Sequence, residues 1–581
     1  MSHDARGRWL PDWLRARARD LPHRPAVVSG DVRLTFAEVD RRATHAARQL
    51  AFLGVTRGTR VATASRGGAS FVVLTHALAR LGAVMVPLNV RLAAPEMAWR
   101  VADSRAAVVI SDAAAAPLVL GATGHTGSVE PTSGARACGV SQYARGVRTA
   151  TPEGGCAGGR DAPRGSTGVV LVLIEGSDGP AGGETPVGAP RSGGPDPVVP
   201  AEGGLEAGAG IRRLAELPAA DVPLQDHIDL SAVQGILYTS ATSGRPKGVL
   251  LTYGNHWWNA VGSALNLGVY SQDRWLAPLP LYHVGGLAIV WRSVIYGIPM
   301  VIHDTFDPDA VNREIEDGRI TLVSVVPTML ERVLDARGAR PWPPTLRCVL
   351  LGGGPVRPAL VEACLRRGVP VAPTYGLTEA ASQVATLPPE EAARKPGSAG
   401  RALLPLDIRI ERTGDSASPE EVGEILVRGP TVMRGYADRP AETARALRHG
   451  WLHTGDLGYL DDEGYLYVVD RRDDLVVSGG ENIYPAEVEA VLRAHPGVAD
   501  AAVVGLPDAQ WGHVAAAVVR IRAGAQVSED DLRVFCEGRL ARYKIPRHVW
   551  FSDDALPRSG GGKLLRRVVR EWALAAWRRR R

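Results

Sequence analysis

Residues 238–248 read YTSATSGRPKG and gather hydroxyl, glycine and lysine side chains in one short segment. The apolar run GILYTS (235–240) leads into this segment and predicts a buried strand. Backbone N–H groups, several hydroxyls and one ammonium group favour the binding of triphosphate oxygens, although a hydroxyl-rich loop is also typical of a simple turn. The segment is not a GxxxxGK(S/T) phosphate loop, because Lys247 is followed by Gly248. Its candidate phosphate-binding residues are Thr239, Ser240, Thr242, Ser243, Gly244 and Lys247.

Lysine is rare in this chain. Of its 67 basic residues only four are lysines, namely Lys247, Lys395, Lys544 and Lys563. A compact ammonium group and a planar guanidinium group are not interchangeable in a binding site. Lys247 and Lys563 lie in glycine-rich segments, which favours a required point charge at each of them. For Lys395 and Lys544, retention by chance is an equally good explanation.

Two further segments place glycines or a carboxylate where predicted strands end. Residues 351–355 (LGGGP) follow an apolar run, and glycine there would let the backbone approach a flat ligand closely. Residues 374–379 (TYGLTE) follow a second apolar run and end in a carboxylate. A threonine of this segment followed by Glu379 would also suit the N-cap and the first turn of a helix.

Four segments of the C-terminal third carry charge in turns or glycine-rich loops. Residues 451–456 (WLHTGD) place a carboxylate after a predicted tight turn, and residues 478–485 read SGGENIYP. The run DRRDD (470–474) is typical of a solvated turn, but its position between two differently patterned regions indicates a hinge. Residues 557–563 (PRSGGGK) predict a mobile loop that delivers one lysine into a cleft.

In this order, the segments resemble the motifs of the adenylate-forming superfamily, which includes acyl-CoA synthetases, peptide-synthetase adenylation domains and luciferases. The resemblance covers residues 25–570 apart from a stretch at 121–210. Ala241 and Ser243 stand where glycine and threonine are usual, which keeps a small side chain or a hydroxyl at each position. The resemblance implies that ATP activates a carboxylic acid as an acyl-adenylate, which then passes to the thiol of coenzyme A.

The resemblance also implies a role for individual residues. Thr239, Lys247, Glu379 and Lys563 would be catalytic, with Lys563 bridging the substrate carboxylate and the α-phosphate. Glu379 and Thr239 would hold Mg²⁺. The implied ATP contacts beyond the phosphate loop are Gly352, Gly353, Gly354, Thr374, Tyr375 (stacked on adenine), Gly376, Thr378 (at the α-phosphate), Asp456 (on the ribose) and Arg471. Asp473 would be the hinge, and Gly479 and Gly480 would line the coenzyme A tunnel.

Three other segments bear on the acid substrate. Residues 252–268, 281–286 and 290–297 resemble those of the o-succinylbenzoate–CoA ligase family of menaquinone biosynthesis. That acid has a second carboxylate, and Arg292, within an otherwise apolar predicted helix, is a candidate counter-charge, unless it reaches a helix end or a surface acid. His283 matches a residue that gates the acyl pocket, the alternative being a buried core histidine. Other aryl- or fatty-acyl-CoA ligases and stand-alone adenylation enzymes share the catalytic motifs and remain open.

The elements that must position these residues follow from hydrophobic patterning. Apolar strands alternate with amphipathic helices over residues 59–112 and again from residue 235, which predicts parallel α/β sheets. Short β segments over 406–470 predict a small β subdomain, and residues 474–581 have an α+β pattern. We therefore predict an α/β protein with a large N-terminal domain (1–472) and a small mobile C-terminal domain (473–581).

Composition and charge add further expectations. Residues 121–210 hold 23 of the 66 glycines and 9 of the 42 prolines, which predicts a disordered surface insertion, apart from a strand within GVVLVLIEG (168–176). No apolar run reaches 18 residues, so a cytoplasmic protein without membrane insertion is the expectation. The net charge of +5 is dispersed, and the basic tail 578–581 suits a solvated helix end better than nucleic acid. The expected partners are small molecules, and a homo-oligomer is left open.

Overall fold

The structure is a computed structural model that describes residues 9–123, 170–174, 212–239, 246–354, 356–412, 415–470, 476–558 and 564–580. Within these ranges the chain forms two large sheets, a smaller antiparallel sheet and a separate C-terminal sheet. The first two sheets carry helices between their parallel strands, which confirms the predicted α/β class. No helix in the described ranges combines the length and apolar character needed to cross a bilayer.

The first large sheet has eight described strands and carries the lysine-containing segment. In spatial order they are Gly435–Tyr436, Lys247–Thr252, Val233–Thr239, Val84–Leu88, Arg60–Ala64, Val108–Asp112, Val170–Ile174 and Arg212–Arg213. The strands from Val233–Thr239 to Arg212–Arg213 pair in parallel, whereas Lys247–Thr252 runs antiparallel to both of its neighbours. Helices associated with this sheet in sequence are Gly68–Leu81, Ala94–Ser104, Ala116–Thr123 and Tyr253–Leu267.

The second large sheet has nine described strands. In spatial order they are Arg401–Ala402, Ser382–Thr386, Val371–Leu377, Cys348–Leu351, Leu322–Val325, Trp275–Ala277, Met300–Ile302, Pro25–Ser29 and Val32–Thr35. Its central strands are parallel and fully buried. The helices that alternate with them or pack nearby are Trp13–Asp20, Phe36–Phe52, Val284–Tyr296, Pro308–Asp317, Pro327–Arg337 and Pro358–Arg366. A short pair, Trp9–Pro11 with His227–Asp229, lies apart from both large sheets.

The predicted β subdomain and C-terminal unit are both present. The subdomain strands are Asp407–Arg412, Asp415–Ser416, Gly423–Arg428, Leu447–Arg448, Trp451–Leu460 and Leu466–Asp470, with helix Pro440–Ala446. The C-terminal sheet contains Val476–Ser478, Glu481–Ile483, Val498–Asp508, Gly512–Ile521 and His548–Phe551. Its helices are Pro485–Arg493, Glu529–Cys536 and Arg566–Arg580. Short 3-10 turns occur at Leu214–Glu216, Thr378–Ala380, Pro389–Glu391 and Arg542–Lys544.

The structure corrects the boundaries of the predicted insertion. Residues 121–123 complete helix Ala116–Thr123 rather than starting a disordered stretch. The strand expected within 168–176 is present as Val170–Ile174, and it pairs in parallel with Val108–Asp112 as a fully buried member of the first sheet. Residues 124–169 and 175–210, the rest of the predicted insertion, lie outside the described residues.

Candidate functional site

A cavity of about 320 Å³ lies where strands of both large sheets end, and the C-terminal unit closes one side of it. Parallel α/β sheets bind ligands at the carboxyl ends of their strands, so this position is an expected one. Predicted site residues from distant parts of the sequence share the lining of this cavity: Thr239, Lys247, His283, Arg292, Gly352, Gly353, Thr374, Gly376, Thr378, Glu379, Asp456, Gly479 and Gly480.

Two of the predicted phosphate-binding residues face each other across an antiparallel strand pair. Thr239 ends strand Val233–Thr239 and is in register with Lys247, which begins Lys247–Thr252. The Thr239 hydroxyl donates to the Lys247 carbonyl oxygen at 3.4 Å. The Lys247 ammonium group lies 5.0 Å from the centre of the Tyr436 ring. The strand pair therefore presents a hydroxyl and an ammonium group at one end of the cavity.

Glu379 lies in the 3-10 turn Thr378–Ala380, directly after strand Val371–Leu377. Leu377 occupies the N-cap position, so the alternative in which a threonine caps a helix here is wrong. Burial raises the pKa of the Glu379 carboxyl, and a hydrogen bond from the Tyr436 hydroxyl, 3.0 Å long, opposes that rise. A bound cation would lower the cost of keeping this carboxylate charged. The half-buried Glu379 carboxylate and the Thr239 hydroxyl both line the cavity, and they are hard oxygen ligands that fit Mg²⁺ beside phosphate groups.

Asp456 lies inside strand Trp451–Leu460, not after a tight turn as the sequence predicted. Gly455, with φ of +73°, bends this strand locally, which is why the motif looks like a turn in sequence. The Asp456 carboxylate accepts a hydrogen bond from the Tyr375 hydroxyl at 2.7 Å. Tyr375 itself is almost fully buried.

A second cavity, of about 280 Å³, adjoins the first and shares Thr374 with it. Gly354 and Tyr375 line this second cavity, so the predicted adenine-binding residues are divided between the two spaces. Packing within the protein also constrains two of the glycines. A Cβ atom on Gly352 would lie 2.6 Å from Thr374, and one on Gly376 would lie 1.9 Å from the Ser382 carbonyl oxygen. Close packing of neighbouring protein strands therefore requires these glycines, whatever ligand binds.

Arg292 is a buried member of the lining of the first cavity. It lies on helix Val284–Tyr296, and its side chain is 1% exposed. The guanidinium group donates to the Asn259 side-chain oxygen and lies 5.5 Å from the centre of the Trp275 ring. Among the described residues its hydrogen-bond partner is Asn259 and no carboxylate shifts its pKa, so the alternative of a surface acid is not realised. Burial lowers the pKa of this guanidinium group.

His283 connects the N-terminal domain to the C-terminal unit. Its Nε2 atom lies 3.1 Å from the Glu481 carboxylate, and its side chain is 40% exposed, so it is not a buried core histidine. Glu481 also accepts hydrogen bonds from Asn89 at 2.9 Å, Arg91 at 3.2 Å and the Tyr282 hydroxyl at 3.3 Å. Burial alone would raise the pKa of Glu481, but His283 and Arg91 hold it below its ordinary value. The carboxylate is thus charged and held by four groups of the N-terminal domain.

The turn that precedes Glu481 reaches the cavity through backbone. Gly479 and Gly480 join strands Val476–Ser478 and Glu481–Ile483 with φ values of +56° and +87°. A Cβ atom on Gly479 would lie 2.6 Å from the Trp511 ring. Glycine is therefore required at this turn both by the backbone conformation and by the neighbouring indole.

Family comparisons agree with this architecture. A model described as AMP-binding enzyme matches residues 14–437, and a model of the AMP-binding enzyme C-terminal domain matches residues 487–563. The chain belongs to the AMP-binding enzyme family. A curated relative of this AMP-binding enzyme, the 2-succinylbenzoate–CoA ligase of Geobacillus kaustophilus (strain HTA426), is 43% identical over 561 residues and covers 97% of both chains.

Two solved structures of the Bacillus subtilis o-succinylbenzoate CoA synthetase also resemble this AMP-binding enzyme. A double mutant bound to the product analogue OSB-NCoA is 35% identical, with coverage of 96% and 98% and a TM-score of 0.77. The complex with ATP and magnesium ion is 36% identical, with coverage of 96% and 99% and a TM-score of 0.63.

Seven predicted site residues of this AMP-binding enzyme lie outside the described residues, and their roles stay predictions: Ser240, Thr242, Ser243, Gly244, Arg471, Asp473 and Lys563. Conversely, sequence reasoning assigned no role to Glu481, Tyr436 or Asn259. Glu481 lies within the segment 478–485, and its charge directly after two glycines could have indicated a contact with the other domain. For Tyr436 and Asn259 the deciding contacts, with Glu379 and Arg292, are tertiary.

Proposed function

We propose that this AMP-binding enzyme is an ATP-dependent carboxylic acid–coenzyme A ligase that converts 2-succinylbenzoate into 2-succinylbenzoyl-CoA through an acyl-adenylate. The observation that supports this substrate is the buried guanidinium group of Arg292 in the cavity lining. The reaction agrees with the names of the full-length relatives.

Arg292 favours a dicarboxylic acid for an electrostatic reason. A buried cation without a carboxylate partner is costly, and a charge-assisted pair with a ligand carboxylate offsets that cost. A monoacid with a purely hydrocarbon tail would leave the charge unpaired and would add desolvation. A succinylbenzoate offers one carboxylate to the reaction and a second to Arg292, with an aromatic ring between them for the apolar walls around Leu350 and Met329.

In the first step, we infer that the substrate carboxylate attacks the α-phosphorus of ATP and that pyrophosphate leaves. Lys247 and the Thr239 hydroxyl would bind the triphosphate, and Asp456 would accept the ribose hydroxyls. Glu379 and Thr239 would hold Mg²⁺, which when bound neutralises phosphate charge. Fixed groups of this kind stabilise charge that develops in the transition state, each worth about 10²–10³ in rate.

In the second step, the thiol of coenzyme A attacks the acyl carbonyl and AMP leaves. We infer that the described arrangement belongs to this step, because Gly479, Gly480 and Glu481 of the C-terminal unit line the cavity. The TM-scores support this inference. Two structures of the same Bacillus subtilis enzyme differ little in sequence identity, yet the product-analogue complex gives 0.77 and the ATP complex 0.63.

The test is a comparison of kcat/KM for 2-succinylbenzoate, benzoate, medium-chain fatty acids and amino acids. Pyrophosphate and the CoA thioester are both measured, with and without coenzyme A. We expect 2-succinylbenzoate to be the best substrate and thioester to form only when coenzyme A is present. An equal or higher kcat/KM for a monoacid would overturn the substrate. Turnover that never yields thioester would favour a stand-alone adenylation enzyme instead.

A further inference from the structure

Lys544, which could not be assigned a role from sequence, is buried at the boundary between the two domains. It lies in the 3-10 turn Arg542–Lys544, and its side chain is 1% exposed. The ammonium group contacts both oxygens of Glu487 at 2.9 Å and also contacts Glu96. One cation thus lies between two carboxylates, of which Glu487 belongs to the C-terminal unit and Glu96 to the N-terminal domain.

Glu96 is bonded from both sides of this boundary. It occupies the third position of helix Ala94–Ser104, where one carboxylate oxygen accepts the Ala93 N–H at 2.8 Å. The same oxygen accepts the Ala541 N–H of the C-terminal unit at 2.6 Å, and the other oxygen meets Lys544. Glu96 lines neither of the two cavities, so it would not contact reacting groups bound there.

The two contacts of Lys544 respond differently to domain movement. The bond to Glu487 lies within the C-terminal unit and survives any rigid rotation of that unit. The bonds from Lys544 and Ala541 to Glu96 cross the boundary and break on rotation. They therefore act only in the described arrangement, and removing one partner of a buried pair is strongly destabilising there.

We propose that Glu96 is a positioning residue that holds the C-terminal unit in the arrangement for thioester formation by accepting hydrogen bonds from Lys544 and Ala541. This inference rests on the two-step reaction proposed above, in which the described arrangement serves the second step. In this proposal Lys544 holds the two domains together and is not a catalytic group.

The test separates the two half-reactions of the full-length enzyme. In Glu96→Gln an amide replaces the carboxylate, so an NH₂ group faces either Lys544 or the two N–H donors. We expect conversion of pre-made acyl-adenylate to thioester to fall about tenfold or more, while pyrophosphate release in the first step is unchanged. The matched control is Glu38→Gln. Glu38 is likewise the third residue of its helix, Phe36–Phe52, and its carboxylate accepts the Thr35 N–H. It has no described contact with the C-terminal unit, so this substitution should leave the rates of both steps unchanged.

A double-mutant cycle tests whether the effect passes through Lys544. If Glu96 acts through that contact, Glu96→Gln combined with Lys544→Met should slow the thioester step no more than the worse single variant does. If Glu96→Gln folds and slows both half-reactions equally, or slows neither, the proposal is wrong. Those outcomes are distinct from failure of the proposed function, in which the unaltered enzyme itself forms no thioester from 2-succinylbenzoate.

Discussion

At the scale of single residues, Arg292 combines features that rarely occur together. Its guanidinium group is buried beside Trp275, its described protein partner is the neutral Asn259, and it lines a ligand cavity. Because burial lowers the pKa of this group, its charge is maintained at a cost to the empty enzyme. An anion in the cavity would recover that cost, so a single substitution should separate selectivity from catalysis.

We predict that Arg292→Gln lowers kcat/KM for 2-succinylbenzoate by about 10²–10³-fold, the effect of removing one partner of a buried ion pair. Benzoate should lose little, since it offers no second carboxylate. The unfolding temperature of the empty enzyme should not fall, because an uncompensated buried charge has been removed. Steady-state kinetics with both acids and thermal unfolding without ligand measure these effects.

The chain provides a matched control in Arg337. This arginine is also buried, donates to the side chain of Asn312 and lies 4.3 Å from the centre of the Trp342 ring, but it pairs with Glu316 and lies away from the cavities. Arg337→Gln should lower stability and leave the ratio of the two acids unchanged. If Arg292→Gln reduces activity on both acids equally, Arg292 supports the fold and not the second carboxylate.

How far sequence could predict the site depends on whether a contact is local. Lys247 and Thr239 were predictable because a strand pattern, a loop composition and rare lysine coincide within ten residues or so. The contacts of Arg292 with Asn259, and of His283 with Glu481, join segments that no periodicity connects. Sequence could therefore predict side chains that line the cavity, but not which neutral or acidic groups hold them in place.

At the scale of elements, strand Val170–Ile174 is the feature that composition obscured. Its five residues are 0–7% exposed, and it lies between Val108–Asp112 and Arg212–Arg213. Burial of each large apolar side chain contributes about 1.5–3 kcal/mol, so loss of the strand would remove a large part of a typical stability of about 5–15 kcal/mol.

We predict that replacing residues 126–166 with a short flexible linker keeps both thermal stability and turnover, because closure entropy changes by only about 0.6 kcal/mol per doubling of loop length. Replacing the whole of 121–210 should prevent folding, since it removes the strand as well. Thermal unfolding and thioester formation are measured for both variants. A whole replacement that folds and turns over normally would show that Val170–Ile174 is dispensable.

Hydrophobic patterning predicted where helices and strands lie along the chain better than it predicted which strands are neighbours in a sheet. Alternating apolar strands and helices indicated the two α/β sheets, because parallel strands buried on both faces read as continuous apolar runs. Which strands pair depends on contacts between residues far apart in sequence, so a local pattern does not predict it. The antiparallel strand Lys247–Thr252, bonded to Gly435–Tyr436 nearly two hundred residues later, has no sequence signal of its own. Strand Trp451–Leu460 looked like a turn because a glycine with positive φ lies within it.

At the scale of the whole molecule, the N-terminal domain and the C-terminal unit together line the first cavity. The N-terminal domain supplies the strand ends, whereas Ser478–Glu481 and Lys544 come from the C-terminal unit and contact the N-terminal segment 89–96. This arrangement places the 478–485 loop, rather than any other part of the C-terminal unit described, at the cavity. We infer that the first step uses a different segment of this unit, and the predicted catalytic residue Lys563 is the candidate.

The last prediction therefore assigns one half-reaction to each end of the C-terminal unit. Lys563→Ala should abolish pyrophosphate release from ATP and acid, yet still convert pre-made acyl-adenylate to thioester. Gly480→Leu should do the reverse and slow the thioester step about tenfold or more, because leucine is strained at a φ of +87° and its side chain would enter the cavity. Gly524→Leu is the matched control, with a φ of +78° and open space around its Cβ position, and should change neither step. If Lys563→Ala and Gly480→Leu both fold and both lose the two half-reactions equally, one fixed arrangement performs the whole reaction. Opposite losses require the C-terminal unit to move between the steps.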